Sequence, residues 1–215
     1  AVRGTFSPAR AWRPAVVAHL ARTLGAMNNL PSLIHDFTKS VVTNEIEIYN
    51  EFSLQHELGI FLRSALPGYK VQFERNISYF APSKQGFTKR EIDVSVFSPD
   101  KKELKYAIEL KFPRSGQHPE QMFSFCKDIA FAEELKGVGF NETALLIFVD
   151  DHLFYRGSGE GIYGHFRSGR PIHGRIDKPT GSKNESVTIR GNHIVKWSPV
   201  TSQIQHSLVH ICDGA

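Results

Sequence analysis

The sequence predicts an α/β domain with a mixed central sheet flanked by helices and a basic C-terminal extension, and three observations lead there. Between residues 51 and 150 the hydrophobic periodicity changes in the order helix, three strands, helix, strand. A length of 215 residues, 40% hydrophobic and 22% charged, fits one globular core. Finally, charged residues interrupt otherwise apolar strands: Asp93 in REIDVSVF, and Glu109 and Lys111 in YAIELKF.

The elements follow in order. In EFSLQHELGIFLRSALPG, Leu54, Leu58, Phe61, Leu62 and Leu66 recur near helical spacing until Pro67-Gly68 stops the helix. YKVQFERNISYF alternates apolar residues at Val71, Phe73 and Ile77, and the turn-rich APSKQGFTK leads into the strand EIDVSVF. SPDKKELK reads as a polar hairpin turn before KYAIELKF. The loop PRSGQHPE then opens an amphipathic helix, QMFSFCKDIAFAEELKGVG, and ALLIFVD reads as a buried strand. Beyond Asp151 the pattern weakens into Gly-rich, irregular chain, with short strands expected near Gly161 to Phe166 and Ser186 to Ile189. A last strand or helix is expected around Ile204 to Ile211.

Three regions are expected: residues 1–26 as a leader outside the core, 27–150 as the core, and 151–215 as the C-terminal part of the same domain. The leader contains Arg3, Arg10, Arg13 and Arg22 and no acid, and MNNLPSLI after it looks like a translational start. It reads as an upstream segment outside the natural protein, with an organellar presequence or an amphipathic helix (Ala15 to Leu24) as alternatives. Its four arginines matter for the charge argument. The chain has 26 Lys and Arg against 22 Asp and Glu, so removing these four leaves 22 of each. The formal charge of +4 therefore gives no general support to nucleic-acid binding, and attraction must come from a local patch or a bound cation.

No run of eighteen apolar residues occurs, so no membrane span is expected. Cys126 and Cys212 lack CxxC spacing and are too few for a disulfide framework; they read as reduced thiols of a cytoplasmic protein. The histidines are scattered, and His56-Glu57 is not followed by a second His at zincin spacing. Neither SGEG at residues 158–161 nor PTGSK at 179–183 has Walker spacing, which excludes that route to nucleotide hydrolysis.

Side chains two apart on a strand share a face, so Glu109 and Lys111 project together while Ile108 and Leu110 face a core. Charges in such a strand must be solvated, paired or bound to a cation, because burying a lone charge is too costly. Oxygen-only ligands suit Mg²⁺ (or Mn²⁺), which is commonly held by one or two carboxylates plus water and substrate phosphate. Asp93 and Glu109 are the candidate ligands. A blander alternative is two edge-strand salt bridges, with Lys111 neutralising Glu109 and Asp93 pairing with Lys89 or Arg90.

The order of helix, strand with Asp93, strand with Glu109-Leu110-Lys111, helix and strand resembles the PD-(D/E)XK nuclease superfamily, the restriction-endonuclease-like fold. The resemblance spans about Glu51 to Asp150. It maps the motif aspartate onto Asp93 and the (D/E)XK triplet onto Glu109, Leu110 and Lys111, while Ile92 replaces the motif proline. It implies a metal-dependent nuclease, acting on DNA rather than RNA, of restriction or defence type. It adds the backbone carbonyl of Leu110 as a metal ligand, and Lys111 to position water or stabilise hydroxide.

Family members often carry a further Glu on the first helix. Here that is Glu57, about 60° to one side of the apolar stripe, with Glu51 as runner-up. Many relatives also carry a glutamine on the following helix, with a tyrosine four residues later. Gln121 fits, but Phe125 stands in place of the tyrosine. Lys127 and Asp128 are read as surface residues.

The stretch from His152 to Lys196 holds eight Lys or Arg residues against three acids, with Tyr155, Tyr163 and Phe166 interleaved. Arg156, Arg167, Arg170, Arg175 and Lys183 are therefore the candidates for gripping a phosphate backbone, against a solvated loop as the alternative. Whether two chains join as a homodimer to cut both strands is left open. A catalytically silent module binding nucleic acid or protein on the same fold is the rival reading. Intact Asp93, Glu109 and Lys111 favour the enzyme.

Overall fold

The computed structural model describes residues 29–114, 116–181 and 184–211; the leader, Lys183 and Cys212 lie outside them. Helices α1 (Leu30–Val42) and α2 (Glu51–Ala65) precede the strands β1 (Lys70–Asn76), β2 (Glu91–Phe97) and β3 (Leu104–Lys111). Helix α3 (His118–Lys136) leads to β4 (Phe140–Val149). A short α4 (Tyr163–Arg167), strands β5 (Ile172–Asp177) and β6 (Ser186–His193), and finally β7 (Ser198–Pro199) and β8 (Gln205–Ile211) complete the chain.

The fold is α/β with a mixed six-stranded sheet in the order β1-β2-β3-β4-β8-β7, in which only β3 and β4 run parallel. A parallel neighbour needs a long crossover, which α3 supplies. β4 alternates its burial between two cores: Ala144, Leu146 and Phe148 pack with α1 and α2, while Leu145, Ile147 and Val149 pack with α3. Burial on both faces accounts for its unbroken apolar run. The β5–β6 hairpin covers the far side of α3, with Ile176, Val187 and Ile189 in the same core as Met122 and Ile129.

Two features differ from the sequence expectation. Helix α1 precedes the globular pattern expected from Asn50. Leu30, Leu33, Ile34, Phe37 and Val41 are its buried stripe, Asn29 caps it through Ser32 N (2.9 Å), and Pro31 sits in its first turn. Residues near Gly161 to Phe166 form a helical turn rather than a strand, with Tyr163 N and Gly164 N bonded back to Glu160 O and Gly161 O. Of the two forms expected for the final segment the structure takes the strand: β8 pairs with β4 inside the central sheet, and the C-terminal part therefore completes the core. Among the described residues no helix is long and apolar enough to cross a membrane.

Glu133 on α3 fastens the hairpin. Its carboxylate accepts hydrogen bonds from Arg190 N (2.9 Å), Gly191 N (2.7 Å) and His193 Nε2 (2.8 Å). Burial opposes its charge, but the His193 and backbone hydrogen bonds outweigh burial and hold its pKa below the ordinary 4.5. A depressed folded-state pKa stabilises the protein above the unfolded value, and that stabilisation is lost as pH falls through the folded value. Glu133→Ala should cost about 1–3 kcal/mol in urea unfolding at pH 7, because two backbone donors lose their acceptor. The difference between variant and wild type should shrink as the pH is taken below about 4. A pH-independent difference would assign the cost to packing alone.

Candidate functional site

The cluster forms where β2 and β3 part. Their antiparallel ladder runs from Phe97↔Leu104 to Val94↔Ile108, and at Asp93 a side chain takes over from the backbone. Asp93 Oδ2 accepts from Leu110 N (2.7 Å), while Asp93 N donates to Glu109 Oε1 (3.4 Å). Ile108 and Leu110 face the core shared with α1 and α2, and Glu109 and Lys111 face α3, as strand alternation requires. Ile92, where the motif has proline, is fully buried.

Helix α2 brings one acid to the edge of this cleft. A capping box fixes its start: Asn50 Oδ1 accepts from Ser53 N (2.8 Å), and Ser53 Oγ accepts from Asn50 N (3.0 Å). Glu51, the first helical residue, accepts from Phe112 N (3.0 Å) and stands 3.7 Å from Lys111 Nζ. One turn on, Gln55 Nε2 donates to Asp93 O (3.0 Å) and contacts Glu74 Oε1 (2.6 Å). Glu57 does not join them. Six residues from Glu51, it is turned about 120° around the helix, lines a surface cavity with His56 and Phe73, and makes no hydrogen bond or ion pair among the described residues. The runner-up is the helix glutamate that reaches the cluster.

Helix α3 supplies a residue that the sequence reading left on the surface. Asp128 is only 2% exposed; its Oδ1 pairs with Lys89 Nζ (3.0 Å) and its Oδ2 lies 3.6 Å from Lys111 Nζ. That Oδ2 is buried and receives no hydrogen bond. Gln121 makes no side-chain hydrogen bond among the described residues. The two positions are seven residues apart, about 20° around the helix but about 10.5 Å along it. Gln121 and Asp128 thus lie on one face of the helix, about two turns apart. Lys127, its neighbour, is a surface residue paired with Glu185 (3.0 Å).

The ion pairs match the bland alternative in one half, Lys89 with Asp93, and differ in the other. Lys111 turns to Asp128 and Glu51, and donates to Leu110 O (2.9 Å). Lys89 binds Glu109, contacts Asp128 and lies 3.9 Å from Asp93. Four carboxylates (Glu51, Asp93, Glu109 and Asp128) against two ammoniums (Lys89 and Lys111) leave a formal charge of −2.

Burial, followed by the charge of Asp93, drives the Glu109 pKa well above its ordinary value. Burial also raises that of Asp128, with Lys111 and Lys89 opposing it. For Lys111 burial opposes the charge, yet Asp128, Glu51 and Asp93 outweigh it and raise the pKa above 10.5. Lys111 is therefore an ammonium at neutral pH, a hydrogen-bond donor rather than a base.

The donor set fits a hard divalent cation: carboxylate oxygens, the Leu110 carbonyl and an anionic surplus, with no cysteine among the cluster's described residues. Cys126 is buried apart in the α3 core, where burial pushes its thiol up to about 12. Among the described residues no three His, Cys, Asp or Glu side chains are grouped closely enough to hold a metal by themselves. Mg²⁺ does not require such a cage, because water and substrate phosphate normally fill its shell.

The basic segment is partly committed elsewhere. Arg167 donates to Leu153 O and Ser158 O (2.9 Å each) and stacks over Tyr163 (3.8 Å), while Arg170 bonds Gly161 O. These two arginines brace their own loop. Arg175 pairs with Asp177 (2.7 Å) at the surface, and Arg156 is exposed beside Tyr155.

No protein-family model matches the chain, and neither a curated protein nor a solved structure is significantly similar to it.

Proposed function

We propose that this protein is a divalent-cation-dependent nuclease of the PD-(D/E)XK type, hydrolysing phosphodiester bonds in DNA in preference to RNA. The observation that carries the reading is the splayed end of β2 and β3. There Asp93, Glu109 and the Leu110 carbonyl converge beside a charged Lys111, between helices that each contribute one further acid. An isolated structural salt bridge needs one acid per base, whereas this cluster carries two surplus carboxylates.

Asp93, Glu109 and the Leu110 carbonyl would hold Mg²⁺ or Mn²⁺. Such an ion supplies charge neutralisation at the phosphate and a water of lowered pKa. Lys111 donates hydrogen bonds to the attacking water or to a non-bridging phosphate oxygen, in a cleft where its charge is worth more than in bulk water. Asp128 and Glu51 hold that ammonium in place and keep it protonated. Tyr49 and Phe52, 61% and 80% exposed at the start of α2, flank Glu51 and offer ring faces on which bases stack. Arg156 remains available for phosphates, and Arg175 would first have to exchange its surface pair with Asp177; Lys183 belongs to the same basic stretch of sequence.

The test is incubation of the purified chain with supercoiled plasmid, single-stranded DNA and RNA in Mg²⁺, Mn²⁺ or EDTA, beside Asp93→Ala and Lys111→Ala. Cleavage is expected with either ion on DNA, and neither in EDTA nor with the variants. Cutting that persists in EDTA, or in both variants, overturns the proposal.

A further inference from the structure

Lys89 lies just before β2, and its ammonium is surrounded by three acids from three elements: Glu109 in direct contact, Asp128 Oδ1 at 3.0 Å and Asp93 Oδ1 at 3.9 Å. Two of these, Glu109 and Asp128, are almost fully buried, whereas the Lys89 side chain is 29% exposed and has a route to solvent. Its backbone is held in place, because the preceding residue, Thr88, donates from N (2.8 Å) and Oγ1 (2.6 Å) to Glu134 on α3. The flexible four-carbon stem is thus free to move while its base stays fixed.

We propose that the Lys89 ammonium is a tethered competitor for the divalent cation. It occupies the locus bounded by Asp93, Glu109 and Asp128, and a metal ion enters only when it swings out. The inference rests on the divalent-cation reading above. An ammonium there neutralises carboxylates that would otherwise repel one another in a largely buried cluster, which stabilises the ion-free protein. A divalent ion would take over the Asp93 and Glu109 contacts with twice the charge, but two cations cannot share the locus. The consequence is weakened cation affinity. Apparent affinity falls in proportion to the fraction of molecules in which the locus is open. If Lys89 occupies it about nine-tenths of the time, removing the ammonium tightens binding about tenfold.

The test is a direct binding measurement, by calorimetry with Mn²⁺ on wild type, Lys89→Met and Lys89→Gln, the two variants guarding against misfolding of either one. Thermal melts in EDTA and in Mn²⁺ accompany it. Both variants are expected to bind Mn²⁺ about tenfold more tightly than wild type. They should melt below wild type in EDTA and gain more from Mn²⁺ than wild type does. Equal or weaker Mn²⁺ binding by the variants overturns the competition while leaving the nuclease reading intact. If neither the wild type nor any variant binds Mn²⁺, the divalent-cation reading falls and this inference with it.

Discussion

Glu109→Gln is expected to lower cleavage by a factor on the order of 10³ or more without lowering the melting temperature. The two readouts part for an electrostatic reason. Glu109 is fully buried, and burial together with the neighbouring Asp93 raises its pKa well above normal, so its ionised form opposes folding. A glutamine of the same shape removes that penalty, and Lys89 keeps Asp128 and Asp93 as counter-charges. The cation site, however, loses one of its two principal carboxylates. Stability unchanged or raised with activity lost is the signature of a group placed for chemistry at the expense of stability. A variant that still cuts at more than about a tenth of the wild-type rate would remove Glu109 from the mechanism.

Asp128→Ala should destabilise the protein by about 3 kcal/mol, lowering its melting temperature by roughly 6–12 °C for a domain of this size. Two cations depend on this carboxylate. Lys89 retains Glu109, but Lys111, itself largely buried, is left with only Glu51 at 3.7 Å and a neighbouring carbonyl. Removing one partner of a buried pair costs much more than removing both. Lys111→Met in the Asp128→Ala background should therefore recover part of the loss, giving a non-additive double-mutant cycle in thermal unfolding. Strict additivity would mean that Asp128 is not coupled to Lys111 and stabilises through Lys89 and packing. Cleavage should stay lost in the double variant, which separates the structural role of Asp128 from the chemical role of Lys111.

Local pattern made most of the architecture legible. EIDVSVF coincides with β2, and KYAIELKF differs from β3 by a residue or two at its ends, because alternation and turn chemistry act over a few neighbours. Helix α1 was also written in the chain, in the spacing of Leu30, Leu33, Ile34, Phe37 and Val41, although the globular pattern was read only from Asn50. Short Gly-rich segments gave the weakest signal. The stretch Gly161 to Phe166 holds a helical turn that depends on Arg167 and Arg170 bonding to distant carbonyls.

For the candidate site, the sequence by itself determined that Asp93, Glu109 and Lys111 lie on strands, with Glu109 and Lys111 on one face, because side-chain alternation is a property of the strand alone. Only the tertiary structure decided which helix residues meet them. Along α2 the local pattern favoured Glu57 over Glu51, and along α3 it did not single out Asp128. The angle and height at which each helix crosses the sheet select Glu51 and Asp128. The same packing brought Lys89 from a loop into the midst of three acids, since a charged residue outside any regular element carries no periodicity from which its partners can be read.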